Sequence, residues 1–194
     1  NDGSLRKSGG TGSSVIGDNV AFVNDGTVEA QSGTIDFAGG NATFHAGTQF
    51  TGAGVNRVSN NARFVGAFTS GNLVLAGGSF IGDNTTPAVL NGSVAWTGGS
   101  FAGTWQVGAG QTLAAQDGAD KNLSGTNFTN QGTVVWESGE RIGLASSNVV
   151  NQGVWDLQSD AGLAYVGGVV SNFVNEGSLR KSAGAGSSVI GANI

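Results

Sequence analysis

The first twenty residues, NDGSLRKSGGTGSSVIGDNV, return at residues 175–194 as NEGSLRKSAGAGSSVIGANI, identical at fifteen positions and displaced by 174 residues. A fixed long offset of this kind marks a repeat architecture and constrains the fold more than any composition can. The expected organisation is a single segment over 1–194, made of one complete 174-residue unit (1–174) followed by the start of the next (175–194). Both ends then read as cuts through a longer tandem array, with neighbouring copies of the same unit as natural partners.

A shorter rhythm runs inside the long one. An Asn-x-Gly element precedes a short alternating run at NDGSLRK (1), NDGTVEA (24), NQGTVVW (130), NQGVWDL (151) and NEGSLRK (175). Where the element fades, LAGGSFIG (75–82) and WTGGSFAG (96–103) recur at an offset of 21. A period of 21–24 residues suits one rung of a β-solenoid, with two or three short strands joined by Gly/Asn/Ser corners, and implies about eight rungs per unit.

Columns across the rungs sharpen this reading. Four residues after each Asn stand Leu5, Val28, Val134, Trp155 and Leu179, and two residues before it stand Phe22, Phe128, Val149 and Phe173, all apolar and expected to point inward. The next position reads Arg6, Glu29, Val135, Asp156 and Arg180, as strand alternation requires of an outward face. Stacking about 4.8 Å apart would set Arg6 over Glu29 and Asp156 over Arg180. Lys7 and Lys181 fall at the following inward position beside Ala30, Trp136 and Leu157, and are read as snorkelling at a corner. The five asparagines, Asn1, Asn24, Asn130, Asn151 and Asn175, are read as corner residues, tolerating positive φ together with the following Gly and stacking amide on amide from rung to rung. A role for them as sugar ligands is the alternative.

Composition agrees with an all-β chain. Glycine is 36 of 194 residues, proline occurs once, and charged residues make up 11%, yet 38% is apolar, with four Trp and ten Phe to bury. Cysteine is absent, which excludes disulfides and thiolate metal sites. A net charge of −5, with eight scattered basic residues, argues against nucleic acid as a partner. No apolar run has the length of a membrane span, and no basic-then-apolar stretch marks a signal peptide.

The ordered run of NDGSLRKSGGTGSSVIG, NDGTVEAQSGTIDFAGG, LAGGSFIG, SVAWTGGSFAGTW, KNLSGTNFTNQGTVVW, NQGVWDLQSDAGLA and FVNEGSLRKSAGAGSSVIG resembles the long β-helical repeats of very large bacterial surface proteins, similar to autotransporter passengers and filamentous-haemagglutinin-like adhesins. The resemblance implies a right-handed parallel β-helix outside the cell, used as a stalk, fibre or adhesive surface, and handedness follows also from the rule for parallel crossovers. It departs from the family in that haemagglutinin repeats are shorter and more uniform.

Candidate chemistry is sparse. His45, the single histidine, alternates with Phe44 and Ala46 and is expected to face solvent, and alone it cannot build a common zinc site. Glu137 and Glu140 in WESGERIG, with Trp136 and Arg141 alongside, offer the paired carboxylates of a glycan-cleaving enzyme, against the plainer reading of a solvated corner. Asp117, Asp120 and Asn122 in AQDGADKN could offer oxygen ligands to calcium, though the spacing matches no calcium loop. GGTGSS lacks a phosphate-loop lysine and a following helix. Trp96, Trp105, Trp136 and Trp155 could stack on sugars if exposed, but their alternation with Val and Leu favours burial. The expectation is therefore a non-enzymatic structural repeat that needs no cofactor, with a carbohydrate-binding β-helix module as the alternative, binding a surface glycan, and a polysaccharide-degrading enzyme as the more remote one.

Overall fold

The structure, a computed structural model, describes residues 1–194. Twenty-two strands form a single sheet in which every pairing is parallel, and no helix is present, so none is long and apolar enough to cross a membrane. Parallel strands need a crossover between partners, and here the crossover is the remainder of the rung itself. The chain is a parallel β-solenoid of about eight turns with three strand faces.

Each face is a stack of short strands. The first holds Ser4–Lys7, Thr27–Ala30 and Gln49–Thr51, and continues down to Asn148–Asn151 and Asn172–Asn175. The second runs from Ser13–Ile16 through Thr34–Phe37 and Val55–Val58 to Val154–Leu157 and Ser178–Lys181. The third runs from Phe22–Asn24 through Ala42–Phe44 and Ala62–Phe64 to Leu163–Gly167. In mid-chain the strands lengthen and turn a corner without interruption, as in Ala88–Trp96, Gly99–Val107 and Lys121–Asn130. Each of these three bends at a glycine with positive φ: Gly92, Gly103 and Gly125. Gly103 has a second constraint, because a Cβ there would lie 2.0 Å from the Gly82 carbonyl oxygen of the rung above.

Alternation along the strands sends one set of side chains inward, where thirty-two apolar residues form one core. Its centre is aromatic. Phe22, Phe37, Phe44, Phe64, Trp105, Phe101, Phe128, Trp155 and Phe173 make an unbroken chain of ring contacts from the first rungs to the last, with centroids 4.7–6.3 Å apart. Such edge-on and tilted pairs add about 0.5–1.5 kcal/mol each beyond their burial.

The register reproduces several sequence expectations. Ser79–Gly82 pairs with Ser100–Gly103 at the 21-residue offset. Arg6 stands opposite Glu29 at 2.6 Å, and Arg180 opposite Asp156 at 2.9 Å. Lys7 sits beside Ala30, and its ammonium reaches the Gly9 carbonyl at 2.7 Å, while that of Lys181 reaches the Ser159 carbonyl and Asp160.

Two expectations are corrected. Leu5, Val28, Val134, Trp155 and Leu179 do not share one column. Leu5 and Val28 continue on the first face to Phe50, Ser70 and Gly92, whereas Val134, Trp155 and Leu179 descend on the second face from Ser14, Ile35, Asn56, Leu73, Val94 and Leu113. The recurring sequence element therefore changes face between the start and the end of the chain. The second correction concerns the corners: neither the five asparagines nor the glycines two residues on, Gly3, Gly26, Gly132, Gly153 and Gly177, have positive φ. Gly26, Gly132, Gly153 and Gly177 are required by proximity instead, since a Cβ on Gly153 would meet the Gly132 oxygen at 2.0 Å and one on Gly26 the Gly3 oxygen at 2.1 Å, whereas a Cβ on Gly3, in the first rung, would meet nothing.

Candidate functional site

With rungs this regular, the features that differ from plain packing are the polar ladders, the buried charges and the two end rungs. Asn24, Asn130 and Asn151 each close a strand and turn inward to full burial. Asn130 donates to the Asn151 amide oxygen and Asn151 to that of Asn175, both at 2.7 Å, while Asn1 donates to Asn24 at 2.6 Å. Asn24 donates in turn to the Thr48 hydroxyl at 3.1 Å, so threonine takes over the column there. The asparagines are thus occupied by one another and by turn carbonyls such as Ser178 O, with no amide left facing solvent on Asn24, Asn130 or Asn151. Val107 stands above Asn130 and offers no donor, which is why the Asn130 amide oxygen is unpaired.

The residues after Asn130, Asn151 and Asn175 build a second, exposed ladder, headed by Gln106. Gln106 donates to Gln131 at 2.7 Å, Gln131 to Gln152 at 3.2 Å, and Gln152 to Glu176 at 3.0 Å. Sequence reasoning left this position unassigned, although the pair NQG and NQG at 130 and 151 carried the signal. Replacing Asn151 with alanine would strip a buried acceptor from Asn130 and remove two donated bonds. The expected loss is about 1–3 kcal/mol in urea unfolding.

Charges follow the same rung-to-rung logic. Six of the eight basic residues pair with a carboxylate of an adjacent rung: Arg6 with Glu29, Arg57 with Asp36, Arg63 with Asp83, Lys121 with Glu140, Arg180 with Asp156 and Lys181 with Asp160. They leave no basic patch for a polyanion. Exposed pairs of this kind are worth little in stability, but they oppose register slips.

Lys121 is the exception in burial. It is 0% exposed and was not singled out from sequence, because an isolated lysine in a polar loop string carries no sign of burial. Its ammonium lies 3.1 Å from the Ala119 carbonyl, 3.3 Å from the Ser138 hydroxyl and 3.5 Å from Glu140. The Ser138 hydroxyl donates to Glu140, and the Trp136 indole N–H donates to the Glu140 carbonyl at 3.1 Å. The WESGERIG corner is thereby wrapped around a buried cation. Glu140 serves that cation, whereas Glu137 faces solvent and accepts from Gln116 at 3.1 Å.

Several carboxyl groups titrate below their ordinary values. The Ser138 hydroxyl and then Lys121 hold Glu140 down, Arg180 holds Asp156 down, and the Gln31 amide and then Arg6 lower Glu29. At Asp83 the cause is the Thr85 hydroxyl, helped by the Thr86 and Thr85 backbone N–H groups and by Arg63. A depressed folded-state pKa stabilises the fold above the unfolded value and loses that contribution as pH falls through the folded one. The urea midpoint is therefore expected to be flat from about pH 7 to about 5 and to fall below about pH 4.

His45 is partly exposed, with Nδ1 2.8 Å from Asp25, and its other ring nitrogen makes no protein hydrogen bond. Asp117 accepts from the Gly139 N–H at 3.0 Å and Asn122 lies within a strand. No group of three or more His, Asp or Glu is gathered where it could hold a metal ion, Asp120 included. All four tryptophans are buried to within 1%. Trp105 donates to the Phe80 and Ala102 carbonyls at 3.1 and 3.0 Å, while the indole N–H groups of Trp96 and Trp155 are unpaired. Tyr165 is the exposed aromatic, and its hydroxyl is turned back to the Gly168 carbonyl.

Of the sequence-derived inward residues, Val28, Val134, Trp155 and Phe128 are buried, while Leu5, Phe22 and Phe173 are half-buried and Leu179 is 36% exposed. The difference is position: these four occupy the first and last rungs. No protein-family profile, curated protein or solved structure matches the chain significantly. Fold and site together define a repeat β-solenoid protein.

Proposed function

We propose that the chain is a structural repeat of an extracellular bacterial adhesin, stalk or matrix fibre, of the kind found in autotransporter passengers and filamentous-haemagglutinin-like proteins. Its work is length, stiffness and surface display. The observation that carries the reading is the return of residues 1–20 as 175–194, folded into the same stack of rungs as the unit it follows. In a solenoid each rung touches only its neighbours, so an array of such units gains length without a new core. The aromatic chain along the axis and the amide ladders on its wall support stiffness in the same way.

A rod reading makes a plain forecast for electron microscopy. A chain carrying the 174-residue unit three times should appear as a thin straight rod about 120 Å long at the rung spacing of parallel strands. Flexible beads, or turnover of a polysaccharide by the chain, would contradict it. The glycan-binding alternative has a separate readout, a glycan array probed with the 194-residue chain, where specific binding would move the assignment from scaffold to lectin-like module.

A further inference from the structure

The change of face along the chain determines how copies of the unit must stack. Ser4–Lys7 lies on the first face and pairs with Thr27–Ala30, whereas its recurrence Ser178–Lys181 lies on the second face and pairs with Val154–Leu157. Within the second face, eight consecutive pairings lead from Ser14 to Leu179. Since Leu179 repeats Leu5, which precedes Ser14 by one face, 174 residues span eight rungs and one further face. The same offset appears elsewhere: Ile16 is on the second face, and its recurrence Ile190 bridges to Leu163 on the third.

The two copies of the twenty-residue segment also show both sides of a junction. The early copy shows what would follow it, and the late copy what precedes it. Arg180 binds Asp156 above, and Arg6 binds Glu29 below, so a residue with both neighbours would sit in an Asp-Arg-Glu ladder. Asn175 accepts from Asn151 above, and Asn1 donates to Asn24 below, which would continue the amide ladder across the seam. Leu179 packs on the Trp155 column and Leu5 on Val28. Nothing in the segment has to change to satisfy both sides, and the exposed Leu179 and half-buried Phe173, Phe22 and Leu5 are the groups that stacking would cover.

We infer that copies of this unit laid end to end form one unbroken solenoid in which each copy is turned by one third of a turn from the last. The partner for each end rung is thus a second copy of the unit, and a true axial repeat arrives only after three copies. At the strand spacing that is about 40 Å per copy and about 120 Å per repeat. Any surface feature of the unit, such as the shallow groove bordered by Arg63, Ile81, Gly82 and Asp83, then recurs on three sides of the rod in succession. A head-to-tail contact that does not close generates a filament, and the rotation per step sets its symmetry.

The inference rests on the rod reading above, and the two fail differently. Cryo-electron microscopy of a chain holding residues 1–174 three times, followed by 175–194, should resolve twenty-five rungs over the three units, with equivalent side chains one third of a turn apart. A straight rod whose copies show no rotation, or a gap between copies, would overturn the inference and leave the rod standing. Absence of any rod would overturn both. As a second measurement, hydrogen exchange at Ser178–Lys181 should slow at least tenfold when residues 21–174 of the next unit follow the 194-residue chain, and unchanged exchange there would contradict an unbroken junction.

Discussion

Replacing Phe64 with alanine is expected to lower stability by about 3–5 kcal/mol, the largest effect of any single change considered. Phe64 is fully buried, and its ring lies 5.1 Å from each of Phe44, Phe68 and Trp105, so it joins the upper aromatic group to the lower one. Alanine would remove both the transfer free energy of the ring and three aromatic contacts, and the neighbouring backbone, pinned by rung pairing on both sides, has little freedom to collapse into the void. Phe64→Leu keeps most of the volume and should lose about 1.5 kcal/mol or less. Urea unfolding of the two variants against the parent chain measures the difference. A loss below about 1 kcal/mol for Phe64→Ala would mean that the core does not pack around this ring.

The second large effect is asymmetric, and the asymmetry is the informative part. Glu140→Ala leaves the Lys121 ammonium buried with two uncharged acceptors, the Ala119 carbonyl and the Ser138 hydroxyl. Leaving a fully buried ammonium without its carboxylate is expected to cost about 3 kcal/mol. Lys121→Met instead removes the buried charge and keeps the apolar stem. Glu140, with a third of its side chain exposed, can then turn to water, so the loss should be about 1 kcal/mol. Equal losses for the two variants would indicate that water reaches the ammonium. Glu140→Ala should also make the decline in stability below about pH 4 shallower, because one of the lowered carboxyls that shape it is gone while Asp156, Asp83 and Glu29 remain.

Much of the architecture was legible because a solenoid writes its own alignment. The offset between LAGGSFIG and WTGGSFAG is the register in which those strands pair, and the charges at Arg6, Glu29, Asp156 and Arg180 meet as alternation demands. Burial of the four tryptophans follows from the same alternation. The column that joined Leu5 and Val28 to Val134 failed for a physical reason. Between Glu29 and Asn130 the Asn-x-Gly element is missing, and mid-chain strands run through their corners at Gly92, Gly103 and Gly125. Rungs there shorten, with the step from Phe50 to Ser70 taking twenty residues, and an alignment by sequence element cannot count the faces it skips.

The asparagines were placed correctly as stacked amides but for an incomplete reason. Their glycines serve the close approach of successive rungs, a contact between distant residues that no local rule about turns can express. Lys121 and Ser138 were illegible for a related reason, since their burial depends on a corner folding over from the next rung. The exposed glutamine ladder was visible in the repeated NQG, yet its meaning required knowing that position 131 faces position 152.

The central claim, that rungs stack in parallel in the register described and pass without interruption through the mid-chain change of spacing, has a direct test in a chain without cysteine. Arg57 and Val74 face outward on adjacent rungs of the second face, and Ala95 lies one rung further. Neighbouring strands at about 4.8 Å put paired Cα atoms within disulfide range, and a two-rung separation of about 9.6 Å puts them beyond it. Arg57→Cys/Val74→Cys should therefore oxidise to an intramolecular disulfide in the folded chain, while Arg57→Cys/Ala95→Cys should not. A disulfide only in the second variant, or in neither, would contradict the stacking on which the account depends.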